Sequence, residues 1–465
     1  MGGILSASLD RPRGSYAEFL AAKAIVDPPT GLGAVGAMPA CMKDHQAAIV
    51  PWALRRGRAA LFAGTGLGKT LMELVWAAEV ACQTGRRVLH LAPLAVTAQI
   101  VREAEKFGVR IPDMVVNYQK LDKLDLSGFG GVILDESSIL KSFDGHYRTL
   151  LIRECAQIPF RLAATATPAP NDLMEIGNHA EFLGIMSVTD MLATFFVHDG
   201  GSTRDWRLKG HAEEDFWRWV ASWAVMLRKP SDLGFSNEGY DLPPLVMHEH
   251  HVPVEIGATS QYATGLLFPI EAITLQERLA ARRASVPERC AMAIELTPRD
   301  RPFVWWCNLN EEAERIARAI PGAVNLHGGL KDAEKERIVL DFSDGRIGTL
   351  VTKASIAGFG VNWQVCADTG FVGLNDSFEQ YYQAVRRFWR FGQTRPVNCH
   401  VVAAETEGAT VANIKRKEAE ADRMAAGMVR HMADFCAAEV RGTVRDTAAY
   451  QPEAPVQVPS WLEAA

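Results

Sequence analysis

The sequence predicts an α/β protein of two lobes with parallel sheets, a helical insertion between them and a helical C-terminal segment. Short apolar runs alternate with helical patterns over residues 38–182, and the same alternation returns over 301–405. The stretch between them changes to aromatic-rich helical sequence. Alternating strand and helix implies parallel strands covered by helices on both faces. At 465 residues the chain also exceeds what one hydrophobic core ordinarily supports.

Taken in order, residues 1–37 are rich in Gly, Pro and Ala and read as an N-terminal arm, with one short helical pattern over 16–26. The first lobe, 38–182, has strand candidates at 59–63, 88–92, 114–117, 132–134 and 161–164. The insertion, 183–245, carries Trp206, Phe216, Trp217, Trp219 and Trp223, which read as its own core. An inter-lobe helical segment follows over 246–300. It opens on His248, Glu249, His250 and His251, whose alternation runs on through Val252 and Val254 and reads as a polar strand face rather than a metal site. The second lobe, 301–405, has strand candidates at 303–307, 323–326, 349–352, 369–372 and 398–403, and residues 406–465 read as a helix and a Pro-containing tail.

Composition narrows the function classes. No run of about 18 apolar residues and no leader-like N-terminus is present, so a cytoplasmic protein without a membrane span is expected. The eight cysteines are scattered without a CxxC pair and read as buried thiols. A net charge of −6 weakly disfavours nucleic acid as a partner, yet a cleft that grips a phosphate backbone needs only a local basic lining.

Two motifs carry chemistry. Gly64, Thr65, Gly66, Leu67, Gly68, Lys69 and Thr70 follow a strand and open a helix. Glycines let backbone N–H groups turn toward phosphate oxygens, and the helix N-terminus adds a favourable dipole. Lys69 would reach the β- and γ-phosphates and Thr70 would hold Mg²⁺. About 65 residues on, Asp135 and Glu136 end an apolar strand, where open α/β sheets bind ligands. Asp135 is the candidate Mg²⁺ ligand and Glu136 the base that orients and deprotonates water. Together they indicate a nucleoside triphosphatase that uses Mg²⁺; the nucleotide, ATP, is what the resemblance given next implies.

At these residues the chain resembles the superfamily 2 helicase-like ATPases, and within them the Swi/Snf-type translocases, especially the compact forms of phages and prophages. The resemblance covers roughly residues 42–405 and implies that both lobes are RecA-like. Lys43-Asp44-His45-Gln46 resembles the adenine-reading element, with Gln46 carrying the base contact. Pro93 and Gln99, then Asn117 and Tyr118, lie in segments that resemble the first strand-contacting motifs. Thr165 and Thr167 match the motif that couples the carboxylates to lobe movement. In the second lobe, Gln383 through Gln393 reproduces QxxxRxxRxGQ, which marks Arg387 and Arg390, three apart on one helical face, as arginine fingers and Gln383 as a coupling residue. Lys353, Ser355 and Asn362 resemble a backbone-phosphate contact, Gly360 an ATP-cleft contact, and His327 a segment that abuts nucleic acid. Three departures stand out: Ala63 and Ala166 replace glycines, and Ser138 stands where His or Asp is commoner.

The resemblance implies an ATP-dependent motor, duplex DNA being the favoured partner and RNA remaining open, in a bacterial or phage-infected cell. A strand-separating helicase and a nucleic-acid-binding scaffold with a weak ATPase are the alternatives. Arg204, Arg207, Lys209, Arg218, Arg228 and Lys229 of the insertion are further basic candidates for gripping a strand.

Overall fold

The computed structural model describes residues 27–109, 114–141, 145–169, 172–198, 206–253, 282–357, 363–374 and 377–441. The helical pattern expected over 16–26 and the tail beyond 441 lie outside them.

The first lobe holds β1 (Arg58–Ala63), β2 (Arg87–Ala92), β3 (Met114–Asn117), β4 (Phe129–Asp135) and β5 (Phe160–Thr165). An antiparallel ribbon of β6 (Phe196–His198) and β7 (Trp206–Leu208) follows, then β8 (Ala224–Leu227). The first sheet runs β3-β2-β4-β5-β1-β8, with every pairing parallel. The second lobe holds β9 (Leu245–Val252), β10 (Phe303–Cys307), β11 (Val324–Leu326), β12 (Thr349–Thr352), β13 (Asp368–Val372) and β14 (Val397–Ala404). Its sheet runs β11-β12-β10-β13-β14-β9, again all parallel. The molecule therefore has two RecA-like α/β lobes.

Three strands, β6, β7 and β8, fall where helix was expected, whereas β9 carries the strand face read at His248, Glu249, His250 and His251. β8 lies inside the insertion and pairs with β1, Ala60 opposite Ala224. Its four residues are all buried, and a short apolar run directly after a Trp-rich helix cannot be told from a further helical turn by periodicity. β9 opens the inter-lobe segment and closes the edge of the second sheet. The strand at 132–134 begins earlier, at Phe129, because Gly130 and Gly131 interrupt its apolar pattern. Trp219 and Trp223 are buried in the core of the first lobe, with Trp223 edge-on to Phe62 of β1 at 6.2 Å. The insertion is thus largely absorbed into that lobe. Among the cysteines, Cys41 and Cys82 are exposed rather than buried.

The helices that place the site are α1 (Asp44–Arg56), α2 (Lys69–Thr84), α3 (Leu94–Phe107), α4 (Asp332–Ser343), α5 (Phe378–Val385) and α6 (Gly408–Arg441). At 34 residues α6 is about 50 Å long and runs from the second lobe onto the first. Lys415 pairs with Glu249 of β9, Arg228 Nη2 meets Asp422 Oδ1 at 2.8 Å, and Glu439 pairs with Arg56 of α1. Among the described residues no helix is long and apolar enough to cross a membrane.

Candidate nucleotide site between the lobes

The phosphate loop leaves β1 at Ala63 and is fixed at once, Gly64 N donating to Leu227 O of β8 at 2.9 Å. Gly66 and Gly68 have φ of +89° and +80°, a region costly for side-chain-bearing residues. A side chain there would also displace its neighbours, backbone at Gly66 and the Gln46 amide at Gly68. A Cβ at Gly66 would lie 2.6 Å from Phe391 N, and one at Gly68 2.1 Å from Gln46 Nε2. Gln46 donates to Leu67 O at 2.9 Å and accepts from Lys43 N at 2.9 Å, so it braces the loop from α1. Lys69 Nζ folds back onto Ala63 O at 2.9 Å.

The carboxylates follow β4. Asp135 ends the strand and Glu136 turns with φ +56°, the one non-glycine in the left-handed region among the described residues. Such outliers cost about 1–3 kcal/mol and persist where the surroundings over-determine them. Glu136 Oε2 is buried without a hydrogen-bond partner. Desolvation by burial, then the charges of Glu73 and Glu136, hold the Asp135 carboxyl well above the usual range. Burial likewise pushes Glu73, on α2, up to about 8. Lys69 is pushed down by desolvation against the pull of Glu136 and Asp135. Glu73 Oε2 is 3.3 Å from His90 Nε2 on β2, and Glu73, His90 and Asp135 each place a ligand atom within 4.8 Å of the others. Acidic oxygens held this close and dry relax when a cation arrives. Of these residues only Asp135 lines the cavity, together with Thr70, and their oxygens fit a hard, oxygen-seeking ion such as Mg²⁺.

The second lobe completes the cavity. Helix α5 stops at Val385, and Arg387 and Arg390 are carried by the turns beyond it rather than by one helical face. Both still line the same space of about 320 Å³ as Lys69, Thr70, Asp135 and Glu136. Gln383 orients Arg387, whose Nε donates to the Gln383 carbonyl at 3.0 Å and whose Nη2 donates to Gln383 Oε1 at 2.9 Å. Burial lowers Arg387 to about 10, a value at which it stays charged near neutrality. At the Gln46 end, Tyr240 stacks on Phe391 at 4.5 Å and 24°, both lining the cavity. Phe391 could have been found from its place between Arg390 and Gly392; nothing in sequence marked Tyr240.

The remaining candidates divide. Pro93, Tyr118, Glu136 and Ser138 line a second cavity of about 510 Å³, closed from the other lobe by Leu326, Gly328 and Ser355. Glu136 thus borders both spaces. Tyr118 is buried and its hydroxyl donates to Asp135 O at 2.7 Å, supporting β4 from behind, and Asn117 is buried beside it. Gln99 lies on a different cleft, between α3 and α4, and donates to Glu103 Oε1 at 3.1 Å. His327 is exposed and its Nδ1 accepts from Gly329 N at 3.2 Å. The Lys353 carbonyl accepts from Ile356 N at 2.9 Å at the start of the short helix Ala354–Ala357. Gly360 and Asn362 lie outside the described residues, as does Arg204.

Thr165 Oγ1 accepts from Thr167 N at 3.1 Å, while Thr167 Oγ1 is buried without a partner beside a third cavity of about 370 Å³ shared with Thr65, Tyr381 and Trp389. Next to the carboxylates, Ser137 Oγ meets His179 Nε2 at 3.1 Å; burial pushes His179 down to about 4, so it is neutral near pH 7. The insertion's basic side chains are largely engaged within the protein. Lys209 donates to the carbonyls of Ala193 and Thr194, Arg218 pairs with Glu214, and Arg228 with Asp422.

Fold and cleft together define a two-lobed, helicase-like protein. Residues 290–392 match the family described as the helicase conserved C-terminal domain, a span that includes both arginines and Gln383. The human ATP-dependent DNA helicase Q4 is 30% identical over 117 residues, 21% of this chain and 9% of that protein. The match thus spans a small part of that relative's length.

Proposed function

We propose that the chain is an ATP-driven motor on nucleic acid, with the cavity between the lobes as its ATPase site. The observation that carries this reading is that Lys69 and Thr70, the Asp135–Glu136 pair, and Arg387 and Arg390 meet in one cavity although the arginines belong to the other lobe. Phosphoryl transfer is catalysed mainly by positioning and charge, and these residues supply both. Lys69 and the loop N–H groups hold the triphosphate, while Gln46, Tyr240 and Phe391 hold the base. Mg²⁺ held by Thr70 and Asp135 would neutralise charge on the phosphates. Glu136 takes the proton of the attacking water. Arg387, fixed by Gln383, and Arg390 stabilise the charge that develops on the transferred phosphoryl group.

Because the site is split, ATP favours the closed cleft and hydrolysis removes that differential contact. Alternating grip by the two lobes on a strand seated near the cavity of Pro93 and Ser355 then gives directed movement, with Thr165 and Thr167 coupling the two events. The motif resemblance favours a duplex-DNA translocase of Swi/Snf type in phage or prophage DNA metabolism. Similarity to a protein named a DNA helicase favours a second reading, strand separation.

The test is phosphate release by the purified chain with duplex DNA, single-stranded DNA or RNA, alongside strand displacement. Strongest stimulation by duplex without displacement is expected. Stimulation by RNA alone would overturn the duplex reading, and hydrolysis no faster than that of Glu136→Gln would leave a binding scaffold.

A further inference from the structure

The aim of the Glu136 carboxylate depends on the backbone that carries it. Its Oε2 is buried without a hydrogen-bond partner, and its φ of +56° lies in the left-handed region that disfavours residues with a side chain. The sheet does not hold it, because the last pairing of β4 with β5 is Asp135 opposite Ala164. A non-glycine residue persists in such a conformation only where its surroundings over-determine it. Hydrogen bonds on either side do so. The Tyr118 hydroxyl donates to Asp135 O at 2.7 Å, Ile139 N donates to Glu136 O at 3.3 Å, and Ser137 Oγ meets His179 Nε2 at 3.1 Å.

The last of these comes from a distant element. Ser137 and Ser138 follow the carboxylate pair in the chain, and His179 stands 42 residues beyond Ser137, in the helix Ile176–Leu183. The histidine and Ser137 are both fully buried. His179 Nδ1 lies 3.4 Å from Glu175 O, one helical turn back. A carbonyl can only accept, so Nδ1 carries the proton, Nε2 keeps its lone pair, and the Ser137 hydroxyl donates to it. The same ring stands edge-on to Phe62 of β1, at 5.2 Å and 81°, directly before the phosphate loop leaves at Ala63. Asn178 adds a second tie, its Nδ2 donating to Lys141 O at 3.3 Å and its Oδ1 accepting from Arg148 Nε at 3.0 Å. One helix thus holds the segment after the carboxylates against the strand that delivers the phosphate loop.

We propose that His179 is a positioning residue for hydrolysis: through Ser137 it fixes the backbone of Glu136 relative to the phosphate loop, so that the carboxylate meets the attacking water. The assignment rests on the ATPase reading of the cavity. His179 does not line that cavity, so it acts through Glu136 and exchanges no proton with the reactants. A histidine that merely filled the core would need neither the serine hydroxyl nor an acceptor at Nε2. A misplaced base leaves the nucleotide bound and slows the chemical step, because Lys69, Thr70 and Gln46 are untouched.

The test is steady-state phosphate release by the full chain at varied Mg²⁺–ATP, under the conditions that best stimulate wild type, with nucleotide affinity measured separately. Ser137→Ala and His179→Leu should each lower kcat by about 10- to 100-fold, with KM and nucleotide affinity within about twofold of wild type. Combining the two substitutions should slow the chain no further than the worse one alone, since each removes the same link. His179→Gln, whose side-chain oxygen can accept near the Nε2 position, should recover most of the rate. Ser137→Ala removes a single oxygen and decides the matter if the His179 variants misfold. A Ser137→Ala kcat within about twofold of wild type, a rise in KM at unchanged kcat, losses that multiply in the double variant, or His179→Gln as slow as His179→Leu would overturn the assignment. Wild-type release no faster than that of Glu136→Gln would instead remove the ATPase reading beneath it.

Discussion

Each lobe buries a cluster of charged side chains, and the two clusters are built on opposite terms. In the second lobe, Arg289 Nη1 meets Glu312 Oε1 at 2.7 Å, and Glu407 lies between Arg282 and Arg289 at 3.1 and 3.5 Å. The leftover acceptors are filled too. Glu312 Oε2 accepts from Asn308 N and Leu309 N, and Glu407 Oε2 from Ala404 N. In the first lobe, Glu73, Asp135 and Glu136 crowd together, the Lys69 ammonium bonds to a carbonyl, and the arginines that balance them belong to the other lobe. A buried charge matched within its own lobe can hold a fold together. One left to be matched across a cleft suits a ligand and a conformational change.

The largest effect separates the clusters by function. Arg387→Ala should lower ATP turnover by about 10³-fold or more, the usual contribution of an arginine finger. Lys69→Ala should abolish turnover, and Glu136→Gln should keep ATP binding while holding the cleft closed. None should lower the melting temperature much, because each relieves a desolvated charge. Steady-state phosphate release, nucleotide binding and thermal melts on the same preparations check this. A turnover loss matched by a comparable loss of folded protein would erase the distinction between the clusters.

Next comes the paired cluster. Arg289→Met removes a guanidinium that is fully buried and leaves Glu312 and Glu407 short of a partner. Breaking a buried pair from one side costs about 3–5 kcal/mol. Urea unfolding should show that loss, with turnover per folded molecule nearly unchanged. A large fall in turnover at unchanged stability would tie this cluster to catalysis.

The contrast also explains what the sequence could reveal. Lys69, Asp135, Glu136, Arg387 and Arg390 were legible because their chemistry fixes spacing over a few residues, at a strand end or within one short segment. The strands that carry them were legible because fully buried parallel strands read as apolar runs. Glu73, His90, His179 and Tyr240 gave no signal, since each matters through a neighbour distant in sequence. Glu73 looks like any acidic residue on a helix until β2 and β4 close over it. Tyr118 shows another limit: its hydroxyl bonds to Asp135 O while the side chain also lines the cavity of Pro93 and Ser355, a double setting that no local pattern reveals. β8 was hidden for a related reason, because only pairing with β1 distinguishes its apolar run from helix.

The last effect differs from that of Arg289→Met in sign, and so tests the contrast between the clusters most sharply. Glu73 is fully buried, its carboxylate oxygens make no hydrogen bond, and burial raises its carboxyl from the ordinary 4.5 to about 8. Below pH 4.5 both folded and unfolded chains hold the proton, and this group adds no pH dependence. Between 4.5 and about 8 the folded chain keeps a proton that the unfolded chain has released, so stability falls as pH rises. Above about 8 the full penalty of a buried anion is present. Glu73→Gln removes that ionisation, so the nucleotide-free variant should match wild type near pH 5 and melt a few degrees higher at pH 8.5. Melting curves from pH 5 to 9 measure it. A variant less stable than wild type at pH 8.5 would mean that the first-lobe cluster is as internally matched as the second, and the division between holding the fold and awaiting a ligand would fail.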